Sequence, residues 1–179
     1  MSVLVVIPAR YASSRYPGKP LVPLTGASGQ ARTLIERSWL AAGDVAGVNR
    51  GGGATEDTRS VVACTGCGAE VIMTALYCAN GTERCAEAHA AFGGGFDIIV
   101  NLQGDAPLTP PWFIEALVEG LRAAPEAEIA TPVLRCDGAT LNGFLEDRKA
   151  GRVGGTTAVF GVGGRALYFS KEVIPFTGQ

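Results

Sequence analysis

The sequence has a single histidine, His89, and no excess of charge of either sign, with 15 basic against 17 acidic residues among its 179. Nucleophilic catalysis of the serine–histidine kind needs a histidine base with an orienting partner. No triad partner lies near His89 in the sequence, so this class of chemistry has little support. The balanced charge gives no general attraction to nucleic acid or membrane, and a polyanion would have to bind at a local cluster of cations.

Long apolar segments are also missing. The apolar run near the start covers only residues 3–7, whereas a membrane-spanning helix needs about 20 residues. This run lacks the basic leader and the cleavage site of a signal peptide. The five cysteines are an odd number without the spacing of a disulfide framework. We therefore expect a cytoplasmic protein whose thiols are reduced.

One cysteine pair, Cys64 and Cys67, has the C-x-x-C spacing found in zinc and redox sites. A structural zinc site usually has a second matched pair of cysteines, or histidines at ligand spacing. Cys78 and Cys85 do not match that spacing. Buried or incidental thiols are the favoured interpretation, and a zinc or redox module remains the alternative.

What is present is an alternation of strand and helix patterns. Residues 3–7 and 97–102 are short apolar runs that predict strands buried on both faces of a parallel sheet. The pattern predicts the remaining elements as helices over 33–42, 86–92 and from Pro110, a strand over 129–134, a strand pair over 156–160 and 166–169, and a short helix from Ser170. We expect a single α/β domain over residues 1–179, with a mainly parallel sheet and flanking helices. Residues 43–68 resist assignment, because three consecutive glycines form strands poorly.

The loop after the first strand concentrates positive charge. It carries Arg10, Arg15 and Lys19 together with small and hydroxyl residues, at the carboxyl end of a strand, where ligands bind in parallel sheets. Guanidinium and ammonium groups in such a place suit the oxygens of a triphosphate. The loop is not a Walker P-loop, since Pro20 follows the lysine. A solvated basic loop is the alternative.

Two further segments are candidates for ligand contact. Asp105 follows the second strand, and an aspartate at that edge can ligate Mg²⁺ that bridges phosphate oxygens. A metal opposite basic groups is the arrangement of phosphoryl transfer, although Gly-Asp is also a common turn. Residues 81–84 enter a helix, whose N–H groups suit a polar ligand. Ordinary helix capping is the alternative for that segment.

Four motifs, in order along the chain, together resemble the 3-deoxy-manno-octulosonate (Kdo) cytidylyltransferase family, the CMP-Kdo synthetases. They are residues 5–21, 80–84, 100–107, and 166–171 with 174–176. The resemblance implies a nucleotide-diphospho-sugar transferase (Rossmann-like) fold and transfer of CMP from CTP to Kdo, with release of pyrophosphate, for lipopolysaccharide synthesis. It also implies Mg²⁺ as cofactor and a cytoplasmic homodimer, with neither nucleic acid nor membrane as a partner.

The resemblance also implies roles for individual residues. Arg10, Arg15 and Lys19 would hold the triphosphate and stabilise charge at the α-phosphorus, and Asp105 would bind Mg²⁺. Gln103 would lie near the nucleoside, and Asn80, Gly81 and Arg84 near the base or the sugar. The full set expected to bind nucleotide or substrate is Pro8, Ala9, Ser13, Ser14, Asn80, Gly81, Thr82, Glu83, Arg84 and Gln103. No general base is obvious, which fits catalysis by metal and electrostatics.

The sequence departs from the family pattern in three places. Members ordinarily continue past Gln179 into a His-x-Gly-type motif and a second acidic metal ligand, so we expect a domain incomplete at its C-terminus. The strand before the family's Ala-Thr-Asp-Asp motif is replaced by residues 50–53, and the motif itself is partly matched by residues 54–57. A family lysine falls near Thr157. The alternatives are therefore a truncated, catalytically impaired nucleotide-binding homologue or a cytidylyltransferase for a related acidic sugar.

Overall fold

A computed structural model describes residues 1–12 and 16–174. The chain divides into two compact units, residues 1–130 and residues 131–179, and each is described by itself. The single domain expected over residues 1–179 stays a prediction. No helix in the described ranges is both long enough and apolar enough to cross a membrane.

The first unit is built on a four-stranded parallel sheet. Its elements are β1 (Val3–Ala9), a 3-10 helix (Lys19–Leu21), β2 (Pro23–Thr25), β3 (Ala31–Thr33), α1 (Leu34–Gly43), β4 (Arg50–Thr55), α2 (Thr58–Gly66), β5 (Val71–Met73), α3 (Gly81–Ala91), β6 (Ile98–Asn101) and α4 (Pro111–Ala123). The strand order is β5-β4-β1-β6, with every pair parallel, and β2 and β3 form a separate antiparallel pair.

Strand β1 lies inside this sheet, and all seven of its residues are buried. Alternate side chains enter two separate cores, as the two-residue period of a strand requires. Val3, Val5 and Ile7 pack with residues of α1, α2 and α4, whereas Leu4 and Val6 pack with residues of α3. Helices thus cover both faces, and the predicted α/β fold with a parallel sheet and flanking helices is confirmed.

Strand β4 contradicts the interpretation that residues 50–53 replace a strand. The three glycines lie in a regular strand between β1 and β5. A Cβ on Gly52 would lie 2.4 Å from Phe92 Cζ and 2.9 Å from the backbone oxygen of Glu70. The glycines therefore leave room for bulky groups of neighbouring elements. Packing, rather than the intrinsic β-propensity of the residues, decides that this segment is a strand.

Other boundaries differ more modestly from the predictions. Helix α3 begins at Gly81 and α4 at Pro111, with Pro110 as its N-cap. The buried residues of α4 are Ile114 and Val118, whereas Phe113, Leu117 and Leu121 are only half-buried. Helix α2 was not predicted, and it begins where the Asp57 side chain accepts a hydrogen bond from the Arg59 N–H at 2.9 Å.

The second unit contains α5 (Gly138–Lys149), β7 (Thr157–Phe160) and β8 (Ala166–Ser170). The antiparallel pairing of β7 with β8 confirms the predicted strand pair. The strand predicted over residues 129–134 does not form, and Ile129 is 85% exposed. No helix begins at Ser170 within the described residues, and residues 175–179 of that prediction lie outside them.

The cysteines differ sharply in their surroundings. Burial raises the pKa of the Cys64 thiol and of the Cys85 thiol to about 12. Burial also raises the pKa of Cys67, whose thiol donates to the Cys64 carbonyl oxygen at 3.0 Å. Metal ligation and disulfide exchange both need a thiolate, and these surroundings disfavour it.

We expect thiol labelling of the folded protein to separate these groups. At pH 8 a disulfide reagent should react rapidly with the exposed Cys136, and with the buried Cys64 and Cys85 only after unfolding. Cys136→Ser should remove the rapid phase and leave the slow phases unchanged. Rapid labelling of Cys64 together with Cys67 would instead support the redox alternative.

Candidate active site

A cavity of about 460 Å³ opens at the carboxyl ends of β1 and β6 in the first unit. The parallel register pairs Val6 with Asn101, and the Gly104 N–H donates to the Pro8 carbonyl oxygen, so the residues that follow β6 run beside the end of β1. A third wall comes from the loop that precedes α3. The lining residues are Pro8, Ala9, Arg10, Lys19, Pro20, Cys78, Ala79, Asn80, Gly81, Arg84, Gln103, Gly104 and Asp105.

The structure brings most of the predicted site residues together here. The lining includes Pro8, Ala9, Arg10, Lys19, Asn80, Gly81, Arg84, Gln103 and Asp105. Thr82 and Glu83 are exposed and are not among the lining residues, and Ser13, Ser14 and Arg15 lie outside the described residues. The binding roles of all the predicted site residues stay predictions. Sequence reasoning missed Pro20, Cys78, Ala79 and Gly104 in the lining.

The basic loop is closed at its base by a backbone contact. The Gly18 N–H donates to the Tyr11 carbonyl oxygen at 2.9 Å. Glycine suits position 18 for two reasons. Its φ of +73° is one that other residues rarely adopt, and a Cβ there would lie 3.2 Å from the Tyr11 ring. Lys19 follows at once and starts the 3-10 helix, which holds its backbone at the cavity.

Lys19 and Asp105 form a direct ion pair across the cavity. The Lys19 side chain is 44% exposed and the Asp105 side chain 42%, so both groups are open to a ligand. Asp105 is brought there by Gly104, whose N–H donates to the Pro8 carbonyl oxygen at 3.3 Å. A Cβ on Gly104 would lie 2.9 Å from that same oxygen, and this close approach of the two loops requires glycine.

The residues around Asp105 fit a Mg²⁺ ion whose ligands come partly from the protein and partly from a bound phosphate. Mg²⁺ in nucleotide sites is commonly held by one or two carboxylates and completes its shell with phosphate oxygens and water. Asp105 is the one carboxylate in the described lining. The described residues contain no group of three or more histidine, cysteine, aspartate or glutamate side chains that would hold a metal alone.

The first two turns of α3 fix the loop before the helix through the carboxylates of Glu83 and Glu87. The Asn80 side chain accepts from the Glu83 N–H at 3.0 Å, and Glu83 accepts from the Ala79 N–H at 2.8 Å. Glu87 accepts from the Ala75 N–H and from the Cys78 thiol, both at 2.9 Å. These hydrogen bonds, the thiol's first, lower the pKa of Glu87. Asn80 is therefore the N-cap of α3, and the Glu83 carboxylate holds the backbone that precedes it.

Arg84 is the most enclosed charge of the site. Its side chain is 2% exposed, its Nη2 lies 3.0 Å from Glu56 Oε2, and it also donates to the Thr74 hydroxyl. The other Glu56 oxygen, Oε1, accepts from the Tyr11 N–H at 3.1 Å. Sequence reasoning missed Glu56 and Thr74. The only signal for Glu56 was the partial match of residues 54–57 to the family's Ala-Thr-Asp-Asp motif.

Two amide side chains lie together at the end of β6. Gln103 Nε2 donates to Asn101 Oδ1 at 2.8 Å. Gly81 packs beside them, since a Cβ there would lie 3.3 Å from Gln103 Nε2 and 3.4 Å from Pro8 Cγ. Amide groups both donate and accept, so this pair is suited to the polar edge of a ligand such as a base.

Comparisons with known proteins give consistent matches. A family model described as cytidylyltransferase matches residues 4–179. The 3-deoxy-manno-octulosonate cytidylyltransferase of Maricaulis maris is 46% identical over 176 residues, which cover 98% of this chain and 66% of that protein. The Zea mays protein of the same name is 39% identical over 171 residues, which cover 96% of this chain and 53% of that protein.

Among solved structures, the chain resembles CMP:2-keto-3-deoxy-manno-octonic acid synthetase complexed with CTP. The TM-score is 0.81 with 33% sequence identity, and the match covers 99% of this chain and 67% of that one. The chain thus spans 53% to 66% of the length of the two curated relatives named above.

Proposed function

Because this chain belongs to the cytidylyltransferase family, we propose that it transfers CMP from CTP to Kdo and releases pyrophosphate. The observation that carries the proposal is the meeting of Arg10, Lys19 and Asp105 in one cavity at the sheet edge. Kdo as the acceptor is supported by the names of the relatives, and CTP by the ligand of the solved neighbour. Supply of Kdo to lipopolysaccharide, a cytoplasmic location and a homodimer belong to the same proposal.

In the proposed reaction the anomeric hydroxyl of Kdo attacks the α-phosphorus of CTP. A new phosphorus–oxygen bond forms, the bond to the β-phosphate oxygen breaks, and pyrophosphate leaves while the hydroxyl proton passes to solvent. Negative charge increases on the leaving oxygen. Arg10 and Lys19 donate to phosphate oxygens and stabilise that charge, which is electrostatic catalysis by preorganised groups.

Asp105 would hold Mg²⁺ together with phosphate oxygens, and the ion would neutralise part of the triphosphate charge. Binding requires Lys19 to exchange its partner, because Lys19 and Asp105 are paired in this structure. Ion pairs that are this exposed contribute only about 0–1 kcal/mol. The exchange is therefore inexpensive, and Lys19 is free to turn from the carboxylate to a phosphate.

Selection of the base and orientation of the sugar are assigned to the remaining polar side chains of the lining. The Gln103 amide, which donates to Asn101 Oδ1, lines the cavity together with Asn80 and Arg84. Apart from Asp105, the described lining contains no carboxylate and no histidine. A mechanism that rests on metal and electrostatics, without a side-chain general base, agrees with that composition.

The test is pyrophosphate release by this chain with CTP, Mg²⁺ and Kdo. We expect release that depends on Kdo and on Mg²⁺ and that falls away with ATP or UTP in place of CTP. Replacing Kdo by a sialic acid distinguishes the alternative of a related acidic sugar. Calorimetry with CTP separates the remaining cases. Binding without release would indicate a nucleotide-binding homologue without catalysis, and absence of binding would contradict the proposed function.

A further inference from the structure

We propose that Glu56 is a positioning residue of this site, whose single carboxylate holds the basic loop and the Arg84 guanidinium in fixed relation to each other. The inference rests on the proposed function, since it concerns how the three cations of the cavity are aligned for a triphosphate and a nucleoside. Glu56 does not line the cavity itself. It acts through Tyr11 and Arg84.

The position of Glu56 follows from the sheet. Strand β4 runs parallel to β1 and pairs Thr55 with Ala9, so Glu56 emerges beside Arg10, at the first residue of the basic loop. Its two oxygens take different partners, the Tyr11 N–H at 3.1 Å and Arg84 Nη2 at 3.0 Å. The Glu56 side chain is 6% exposed. Water therefore has little access to replace either partner.

Glu56 supplies the counter-charge of the buried Arg84 guanidinium. A buried guanidinium without a counter-charge is strongly destabilising, and Glu56 is the one carboxylate that the described residues place in an ion pair with it. The guanidinium is a rigid plane, so a partner that holds one of its nitrogen atoms restricts the orientation of the whole group. Glu56 and the Thr74 hydroxyl thus set the orientation in which Arg84 faces the cavity.

The contact with Tyr11 fixes the base of the loop. The Tyr11 carbonyl oxygen accepts a hydrogen bond from the Gly18 N–H at 2.9 Å. The Tyr11 ring lies under the Arg59 guanidinium, with 3.5 Å between the guanidinium carbon and the ring centre. Arg10 directly precedes Tyr11, and Lys19 directly follows Gly18. Both lining cations of the loop are therefore one residue away from a backbone contact that Glu56 anchors.

The test compares three variants. Glu56→Gln keeps an acceptor for the Tyr11 N–H and removes the charge that faces Arg84, whereas Glu56→Asp keeps the charge on a shorter side chain. Glu70→Gln is the matched control, because it breaks another glutamate–arginine pair, with Arg50 at 2.5 Å, that does not line the cavity. Thermal melting sets a temperature at which all variants are folded.

At that temperature we expect Glu56→Gln to weaken CTP binding by about tenfold or more, a loss of about 1.4 kcal/mol. Glu56→Asp should recover part of that affinity, and Glu70→Gln should bind CTP within about twofold of the unsubstituted chain. Hydrogen exchange supplies a readout without nucleotide. The Tyr11 amide should exchange faster in Glu56→Gln, because a hydrogen bond to a neutral acceptor is weaker than one to a carboxylate.

Unchanged CTP affinity in Glu56→Gln would overturn the inference, even if the melting temperature falls, since that would be a purely structural role. An unchanged exchange rate at Tyr11 would overturn it as well. Failure of the unsubstituted chain to bind CTP would count against the proposed function instead. In that case the exchange of Tyr11 still decides whether Glu56 holds the loop.

Discussion

Asp105→Asn should lower Mg²⁺-dependent pyrophosphate release by about a hundredfold or more, because a metal contributes several kcal/mol of charge stabilisation and each 1.36 kcal/mol is about tenfold in rate. Asparagine keeps the size of the side chain and loses the charge that a hard cation requires. The fold should stay intact. Asp105 is 42% exposed, and the pair it loses with Lys19 is worth about 0–1 kcal/mol.

The same variant has a second expected result that a general loss of structure would not produce. Without Mg²⁺, Asp105→Asn should bind CTP at least as tightly as the unsubstituted chain, because a negative charge is gone and Lys19 is released. Glu119→Gln is the matched control, since Glu119 is exposed, pairs with Arg122 at 2.7 Å and does not line the cavity. Pyrophosphate release and calorimetry measure both results. Unchanged release would remove Asp105 from the mechanism.

The sheet edge that carries these residues could be predicted because the sequence pattern of its strands is easily recognised. Strands β1 and β6 are apolar, β-branched runs, which are typical of parallel strands. Strand β1 is buried throughout, whereas β6 lies at the edge of the sheet and exposes Ile99. The loops at their carboxyl ends then have to share an edge. The similarity to the CTP-bound synthetase confirms the predicted nucleotide-diphospho-sugar transferase type of fold.

Elements determined by distant neighbours could not be predicted in this way. Residues 129–134 have the local composition of a strand, yet they lie exposed and do not pair, because a strand forms only where a partner receives its hydrogen bonds. The glycines of β4 are poor strand formers and left this segment unassigned, yet β4 is a strand because β1 and β5 flank it. Local propensity is a weak guide where tertiary packing decides.

The candidate site shows the same division. Arg10, Lys19 and Asp105 were predicted because each follows a recognisable strand or lies in a motif. Glu56 was missed because its importance lies in two contacts, with Tyr11 and with Arg84, that join segments far apart in the sequence. A partial motif match marks the position of such a residue and does not reveal its partners.

Gly52→Ala should destabilise the protein by about 3 kcal/mol, the upper part of the range for overpacking a core. The added Cβ would lie 2.4 Å from Phe92 Cζ and 2.9 Å from the backbone oxygen of Glu70. Phe92 is the C-cap residue of α3 and is buried in the core, and its ring also lies under the Arg50 guanidinium at 4.7 Å, so it has little freedom to move away. Urea unfolding, followed by circular dichroism, measures the loss.

The control uses the same substitution with the opposite expected sign. Gly120 lies inside α4, and a Cβ there would meet nothing within 4 Å, so Gly120→Ala should stabilise by about 0.5–1 kcal/mol through helix propensity. Introducing Phe92→Leu should reduce the cost of Gly52→Ala, since leucine lacks the nearest ring atoms. The reduction should be partial, because the Glu70 oxygen stays in place. If Gly52→Ala left the free energy of unfolding unchanged, packing would not require the glycines of β4. Strand β4 would then be a weak strand that forms only because its neighbouring strands hold it.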